Sequence, residues 1–238
     1  MKSFLHLLVA AGTVSAHATF QDLWVGTKDE AETCVRPAST NSPITSVTSP
    51  DIRCNAGGAK GVAGLCKVSA GSPVSVEMHQ QPGDRSCTNE ALGGKHYGPV
   101  NIYMSPVADA TTDDGSGEWF KVAQDTYAGT DESWGTEMLN TNCGKKTFTV
   151  PKELKAGQYL VRAEAIALHT AGSEGGAQFY LGCYQVEVEG TGTATPPASA
   201  MVKFPGAYKA TDPGIKVDIY TKPLEYQAPG PEVWPSAA

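Results

Sequence analysis

Short stretches in which apolar and polar residues alternate recur along the chain, and they constrain its fold more than any other feature. Alternation with a period of two places every apolar side chain on one face of a β-strand. The stretches cover residues 74–78, 100–104, 148–150, 159–168, 178–189 and 215–219. Turn sequences such as Pro82-Gly83-Asp84 and Ala156-Gly157 separate them. The pattern predicts an all-β fold, an antiparallel β-sandwich.

The composition agrees with this fold class. The chain has 238 residues with 26 glycines and 16 prolines, which argues against a bundle of long helices. Hydrophobic residues make up 40% of it, enough for one substantial core. Residues 105–144 are rich in Ser, Thr, Asp and Gly, and we expect long loops there with at most a short helix. We therefore predict an immunoglobulin-like or fibronectin III-like β-sandwich with long loops and short helices.

The stretch 178–189 has apolar residues on both faces of the predicted strand. Tyr184, Val186 and Val188 continue the face that begins with Gln178 and Tyr180, while the other face carries Phe179, Leu181 and Cys183. Two explanations remain open. Either the strand is buried on both faces, or a β-bulge near Gly182 switches its phase.

The first sixteen residues have the three parts of a secretory signal peptide. Lys2 gives a positive start, residues 4–12 form an apolar run interrupted only by His6, and Val14-Ser15-Ala16 is a cleavage pattern of small residues. The run is shorter than the ~20 apolar residues that span a bilayer, and no other segment approaches that length. We expect a signal peptide over residues 1–16, no membrane partner, and a secreted, extracellular protein that begins at His17.

The charge balance excludes one class of partner. The chain has 18 basic and 25 acidic residues, a formal net charge of -7. This sign opposes broad neutralisation of phosphates, so nucleic acid is not an expected partner.

Six cysteines are present, and an oxidising compartment allows all of them to pair as disulfides. Their spacing includes no C-x-x-C motif, so neither a zinc ribbon nor a thioredoxin-type site is supported. Their spacing alone leaves the connectivity open. The residues are Cys34, Cys54, Cys66, Cys87, Cys143 and Cys183.

A histidine at the mature N-terminus is a chelating residue, because its α-amine and its imidazole both bind metals. The amine, with an ordinary pKa of about 8, loses its proton readily when a metal competes for the nitrogen. One further imidazole completes a tetragonal set of three nitrogens, which favours copper over zinc. The alternative is that His17 falls at this position by chance.

Three other histidines are candidates for the third nitrogen. His96 lies in a glycine-flanked turn before a predicted strand, either as a rigidly held ligand or as an exposed loop residue. His79 ends the strand at 74–78 on the face opposite the core, and we expect it at the surface. His169 follows the strand that ends at Leu168, where it is either buried and hydrogen-bonded or close to a site.

Five fragments in this order resemble the fungal lytic polysaccharide monooxygenases of auxiliary activity family 9, formerly glycoside hydrolase family 61. The similarity extends from His17 to Ala238. It implies a single copper monooxygenase β-sandwich domain over residues 17–238, without a carbohydrate-binding module, and one copper ion per chain. The fragments are His17-Ala18-Thr19-Phe20, Lys95-His96-Tyr97-Gly98-Pro99-Val100, Ile166-Ala167-Leu168-His169-Thr170-Ala171, Gly176-Ala177-Gln178-Phe179-Tyr180 and Phe204-Pro205-Gly206-Ala207-Tyr208.

The resemblance also implies roles for individual residues. The amine and imidazole of His17 and the imidazole of His96 match the family's copper-binding histidine brace, and Tyr180 matches its axial tyrosine. Gln178 and His169 match two catalytic side chains beside the metal, which hydrogen-bond to the oxygen co-substrate and protonate it. Without the resemblance, Tyr180 and Gln178 are an ordinary buried pair in a strand.

Further matches concern the disulfides and the substrate face. Tyr226 matches a position that presents an aromatic ring on a flat face around the copper, where the apolar side of a sugar stacks. The resemblance pairs Cys54 with Cys183, Cys34 with Cys66, and Cys87 with Cys143.

The function implied by the resemblance is oxidative cleavage of β-1,4-glycosidic bonds in crystalline or amorphous cellulose by a monomer. It uses O2 or H2O2 and an external electron donor, either cellobiose dehydrogenase or a small reductant such as a phenol or ascorbate. The lack of a long insertion after Phe20 favours hydrogen abstraction at C1 over C4.

Two other functions stay open. One is a non-catalytic secreted protein that binds copper or polysaccharide. The other is a glycoside hydrolase that uses acids such as Glu77, Asp84 or Glu164, although hydrolysis needs two carboxyl groups ~5 to 9.5 Å apart and the sequence shows no convincing pair.

Overall fold

The computed structural model describes residues 17–222 and 224–235, so the signal peptide expected over residues 1–16 lies outside the described residues. Within this part, no helix is long and apolar enough to cross a membrane. The strands are β1 (Thr19–Val25), β2 (Lys28–Ala31), β3 (Val35–Arg36), β4 (Cys66–Ser69), β5 (Pro73–His79), β6 (Val100–Val107), β7 (Phe120–Asp125), β8 (Lys145–Thr149), β9 (Gly157–Ala167) and β10 (Gln178–Glu189). The helices are α1 (Gly135–Thr141) and the 3₁₀ turns Pro50–Ile52, Asp131–Ser133 and Ala198–Ala200.

The strands form two sheets. The smaller sheet has the order β2-β1-β5-β8, and the larger has the order β3-β10-β9-β6-β7, with β4 also paired to β10. All neighbours are antiparallel except β4 and β10, which are parallel. Apolar residues of both sheets meet in one core, for example Phe20 and Val76 with Ile102 and Tyr184. The predicted antiparallel β-sandwich is confirmed.

A second apolar cluster covers the opposite face of the larger sheet. Ile166, Phe179 and Leu181 of the sheet pack there with Phe204 and Tyr208 of the C-terminal segment. Strand β10 pairs with β9 from Gln178 to Val188 without a shift in register. The stretch 178–189 is therefore buried on both faces, and the alternative of a bulge near Gly182 is wrong.

Gly182 has a different role, which is to let β1 approach β10. A Cβ atom at this position would lie 2.5 Å from Cβ of Phe20. Since no other residue type could fill this position without a shift, the glycine allows the two sheets to meet directly behind the start of β1.

Two sequence predictions about regular structure are wrong. Residues 215–219 form turns instead of a strand: the Ile215 N–H donates to the carbonyl of Asp212 (2.8 Å) and the Val217 N–H to that of Ala171 (2.9 Å). Their alternation arises because Ile215 and Ile219 pack into the second cluster. Conversely, the expected long loop at 105–144 contains the strand β7, which pairs with β6.

Three disulfides link Cys34 to Cys66, Cys54 to Cys183 and Cys87 to Cys143, which are the pairs that the resemblance implies. The second of them closes a sequence separation of 129 residues and joins β10 to the segment after the first 3₁₀ turn.

Candidate metal centre

Four of the side chains singled out in the sequence meet at the end of the larger sheet where β9 finishes and β10 begins. The rings of His96 and His169 are edge to face, with centroids 4.4 Å apart, and the ring of Tyr180 is 6.2 Å from that of His96. The Tyr180 hydroxyl donates to Oε1 of Gln178 at 3.0 Å. The strand pair β9–β10 and the loop before β6 therefore bring His96, His169, Gln178 and Tyr180 together.

The imidazole of His96 is buried, yet neither ring nitrogen forms a hydrogen bond with a residue that the structure describes. The same holds for Nδ1 of His169. Buried polar atoms nearly always have a partner, so an unpaired imidazole in the interior calls for one. Imidazole nitrogen is a good ligand for copper, and the donor set at this place therefore fits that metal.

His17, the first described residue, is half-buried and directly precedes β1. The Ala18 N–H donates to the carbonyl of Asn41 (3.1 Å), and the Asn41 side chain donates to the carbonyl of Gln80 (2.8 Å). These bonds tie the start of β1 to the segment that leads toward His96.

Among the described residues, no group of three His, Cys, Asp or Glu side chains is arranged to hold a metal ion. A histidine brace does not need one, because it takes two imidazoles and one main-chain amine. Cleavage after Ala16 would create that amine on His17.

The protonation states suit metal binding. Burial lowers the pKa of His96 more than the main chain of Gly93 and Gly94 raises it, and burial together with the nearby His96 lowers the pKa of His169. Both imidazoles therefore favour the neutral form, in which a ring nitrogen is available as a ligand or proton acceptor. Burial raises the pKa of the Tyr180 phenol, which keeps its proton.

The aromatic residue chosen for the substrate face, Tyr226, is largely engaged within the protein. It is half-buried, its ring contacts Trp134 edge to face at 4.8 Å, and its hydroxyl donates to the carbonyl of Gly214 (2.9 Å). Tyr220, by contrast, is 60% exposed. The sequence interpretation did not select Tyr220, because it read the preceding residues 215–219 as a strand. An aromatic residue directly after that stretch was the signal that could have identified it.

Tyr220 follows a segment that is attached beside the candidate site. Three residues before Tyr220, the Val217 N–H donates to the carbonyl of Ala171 (2.9 Å), and Ala171 comes two residues after His169.

Two of the three acids considered for hydrolysis are buried, and the third lies in a turn. Glu77 and Glu164 are both buried: Glu77 accepts hydrogen bonds from Arg85 and pairs with His79, and Glu164 accepts from Tyr208 (2.7 Å). Asp84 accepts from the N–H of Ser86 (2.9 Å) in a turn. The two glutamates are therefore unsuited to hydrolysis at an open cleft. His79, expected at the surface, is buried and lies 2.9 Å from Glu77.

Comparisons with known proteins identify the family of this chain. The sequence profile of Auxiliary Activity family 9 (formerly GH61) matches residues 17–227. A lytic polysaccharide monooxygenase E of this family from Botryotinia fuckeliana is 57% identical over 225 residues, which cover 94% of this chain and 93% of the relative. A lytic polysaccharide monooxygenase B of the family from Thermothelomyces thermophilus is 56% identical over 98% of this chain and 74% of the relative.

Among solved structures, that of CvAA9A superposes with a TM-score of 0.82 at 32% identity and covers 92% of this chain and 98% of its own. HiLPMO9B superposes with a TM-score of 0.78 at 34% identity and covers 92% and 99%. The chain therefore belongs to Auxiliary Activity family 9, a family of lytic polysaccharide monooxygenases.

Proposed function

We propose that cleavage after Ala16 yields a secreted monomer in which the amine and imidazole of His17 and the imidazole of His96 would hold one copper ion, with the Tyr180 hydroxyl as a further ligand. This enzyme oxidatively cleaves β-1,4-glycosidic bonds in cellulose. The observation that supports it best is the buried, unpaired ring of His96 beside His169 and Tyr180. When bound there, copper would supply one-electron chemistry, with O2 or H2O2 as co-substrate and cellobiose dehydrogenase, a phenol or ascorbate as the external electron donor.

The side chains around the metal position prepare the oxygen co-substrate. The protonated Tyr180 phenol donates to Oε1 of Gln178 and thereby fixes the orientation of the amide, whose Nε2 is a hydrogen-bond donor. The neutral His169 offers a ring nitrogen that holds and delivers a proton. These two residues act as proton and hydrogen-bond partners of the reacting oxygen.

The substrate lies across the surface beside His96. We assign sugar stacking to Tyr220, whose ring is exposed, and a supporting role to Tyr226, whose hydroxyl is used inside the protein. An aromatic ring offers its face to the apolar side of a pyranose, and a shallow surface suits a long polymer better than a closed pocket does. The lack of a long insertion after Phe20 favours attack at C1 over C4.

The experiment that tests this function uses the protein with His17 as its authentic first residue, loaded with copper and incubated with amorphous cellulose and ascorbate. Mass spectrometry should detect aldonic acids, or keto-sugars if attack occurs at C4. His96→Ala, and a matched protein that keeps Ala16 in front of His17, should release far less oxidised product. Unmodified oligosaccharides released without ascorbate would instead support hydrolysis.

A second candidate is a non-catalytic protein that binds copper or polysaccharide, which the same metal ligands would also permit. It predicts cellulose binding by the copper-loaded protein with no reductant-dependent release of sugars.

A further inference from the structure

We propose that helix α1 is a two-point clamp that sets the position of His96, with Asn140 and Thr136 as its positioning residues. The inference rests on the proposed role of His96 as a copper ligand. It concerns side chains that do not themselves approach the metal position.

The first point of the clamp precedes His96 in the chain. The Leu92 N–H donates to Oδ1 of Asn140 at 3.0 Å, and Nδ2 of Asn140 donates back to the Leu92 carbonyl at 3.3 Å. The side-chain amide thus pairs with the main chain as a neighbouring strand would. Leu92 itself is fully buried, so both main-chain groups would lose a partner in the interior if Asn140 were removed.

The second point follows His96. The Gly98 N–H donates to Oγ1 of Thr136 at 3.1 Å, and the Thr136 N–H donates to the Gly98 carbonyl at 3.1 Å. Thr136 is fully buried. Because residues four apart share one face of a helix, Thr136 and Asn140 face the same segment and hold it on either side of His96.

The segment between the two points needs this restraint, because Gly93 and Gly94 precede His96 by only a few residues. Gly94 has φ of +73°, a conformation that glycine adopts freely and also leaves freely. Strand β9 adds support after His96, where the Leu168 N–H donates to the Tyr97 carbonyl at 2.8 Å. Before His96, Asn140 attaches the segment to the helix.

The helix is itself held firmly enough to serve as a clamp. The disulfide Cys87–Cys143 joins the chain just after α1 to the segment that leads to His96. At the other end, a Cβ on Gly135 would lie 2.7 Å from the main-chain nitrogen of Val100, so the helix packs directly against the start of β6. A ligand supported in this way is preorganised for its metal.

The test compares Asn140→Leu, which keeps the side-chain size without hydrogen bonds, with Thr141→Val on the same helix. Thr141 donates only to the carbonyl of Glu137 (2.9 Å) and touches neither clamp point. Calorimetry should show copper binding weakened about tenfold in Asn140→Leu and unchanged in Thr141→Val. The electron paramagnetic resonance spectrum of the Cu(II) form should change only in Asn140→Leu.

A second pair of variants keeps the proposal testable if Asn140→Leu does not fold. Thr136→Val removes the acceptor for the Gly98 N–H while keeping the side-chain shape, and Thr136→Ser restores that acceptor. We expect weaker copper binding in the first and recovery in the second. Copper affinity and spectrum equal to wild type in both Asn140→Leu and Thr136→Val would overturn the clamp.

The clamp and the function can fail separately. If His96→Ala binds copper as wild type does, the proposed ligand is wrong. Amide hydrogen exchange of the metal-free protein still tests the clamp: Asn140→Leu should accelerate exchange at Leu92 and at His96, and unchanged exchange there would overturn it.

Discussion

Arg85 grips the carboxylate of Glu77 with two nitrogens, Nε at 2.9 Å from Oε1 and Nη2 at 2.7 Å from Oε2. Arg85 begins the segment that leads to His96, whereas Glu77 lies buried in β5. The same guanidinium also reaches Asp29 at 2.7 Å. The ion pair therefore connects the segment that leads to His96 with the smaller sheet.

This pair should make stability depend on pH. Burial alone would raise the pKa of Glu77, but hydrogen bonds from Arg85, His79 and Trp24 outweigh it and hold the pKa well below the ordinary value of 4.5. A depressed pKa contributes stability that is present above the ordinary value and is lost as the pH falls through the folded-state value. Glu77→Gln should lower the free energy of unfolding by about 3 kcal/mol at pH 7. Denaturant unfolding should show this difference shrinking below about pH 4.

The control for this series is Glu189→Gln, which breaks an exposed contact with Lys67 of 2.9 Å. Exposed pairs contribute about 0 to 1 kcal/mol, so the effect should be small at every pH. A Glu77→Gln difference that stayed constant down to pH 3 would contradict the assigned pKa.

The disulfide Cys54–Cys183 should stabilise the fold more than Cys34–Cys66 does, because it closes 129 residues of chain against 32. On the chain-entropy model, the two bonds contribute about 5 and about 4 kcal/mol. Replacing both cysteines of each pair by alanine and measuring urea unfolding gives the comparison. The reverse order would show that local packing outweighs loop closure.

Gly182→Ala should disturb the metal centre from a distance. The added methyl group would meet Cβ of Phe20 at 2.5 Å and push β1, which begins two residues after His17, away from β10. Overpacking of this kind costs about 1 to 3 kcal/mol. We expect a lower melting temperature together with weaker copper binding by calorimetry. Gly117→Ala is the control, because its added methyl group would lie 3.6 Å from Oγ of Ser105.

Tyr220 and Tyr226 should separate substrate binding from folding. Tyr220→Ala removes an exposed ring, and we expect cellulose binding to weaken about fivefold with little change in stability. Tyr226→Phe deletes the hydrogen bond to Gly214 and should lower stability by about 1 kcal/mol while cellulose binding stays the same. Pull-down isotherms on cellulose and thermal unfolding measure the two effects. If only Tyr226→Phe weakened cellulose binding, the stacking role would belong to Tyr226.

The period-two pattern predicted β5, β6, β9 and β10 because each has an unbroken row of apolar residues on a buried face. Strand β7 was not predicted, because only Phe120 and Val122 form an alternating apolar pair there. Between them Lys121 is buried, and its Nζ donates to the carbonyl of Pro229 (2.8 Å). The wrong strand at 215–219 shows the reverse case. There, alternation reflects packing of a loop onto the second cluster, without a neighbouring strand to pair with.

For the site, chemistry alone selected His17 and left His79, His96 and His169 as candidates for the third nitrogen, with His79 expected at the surface. Only a long-range contact distinguishes them, since His96 meets His169 and Tyr180 across three separate segments, whereas His79 is paired with Glu77 inside the smaller sheet. The family resemblance supplied that information. The support from Asn140 and Thr136 was invisible in the sequence because no local pattern relates a short helix to a loop 38 to 48 residues earlier.

The covering of the larger sheet on both faces has a consequence for redesign. A sheet that is covered on both faces leaves little freedom to alter its strands, and a change there would reach the proposed copper ligands through closely packed side chains. The turns around Tyr220, in contrast, are exposed to solvent. Substitutions meant to change the preference for a polymer should therefore be made in the turns around Tyr220, where they leave the packed sheet unchanged.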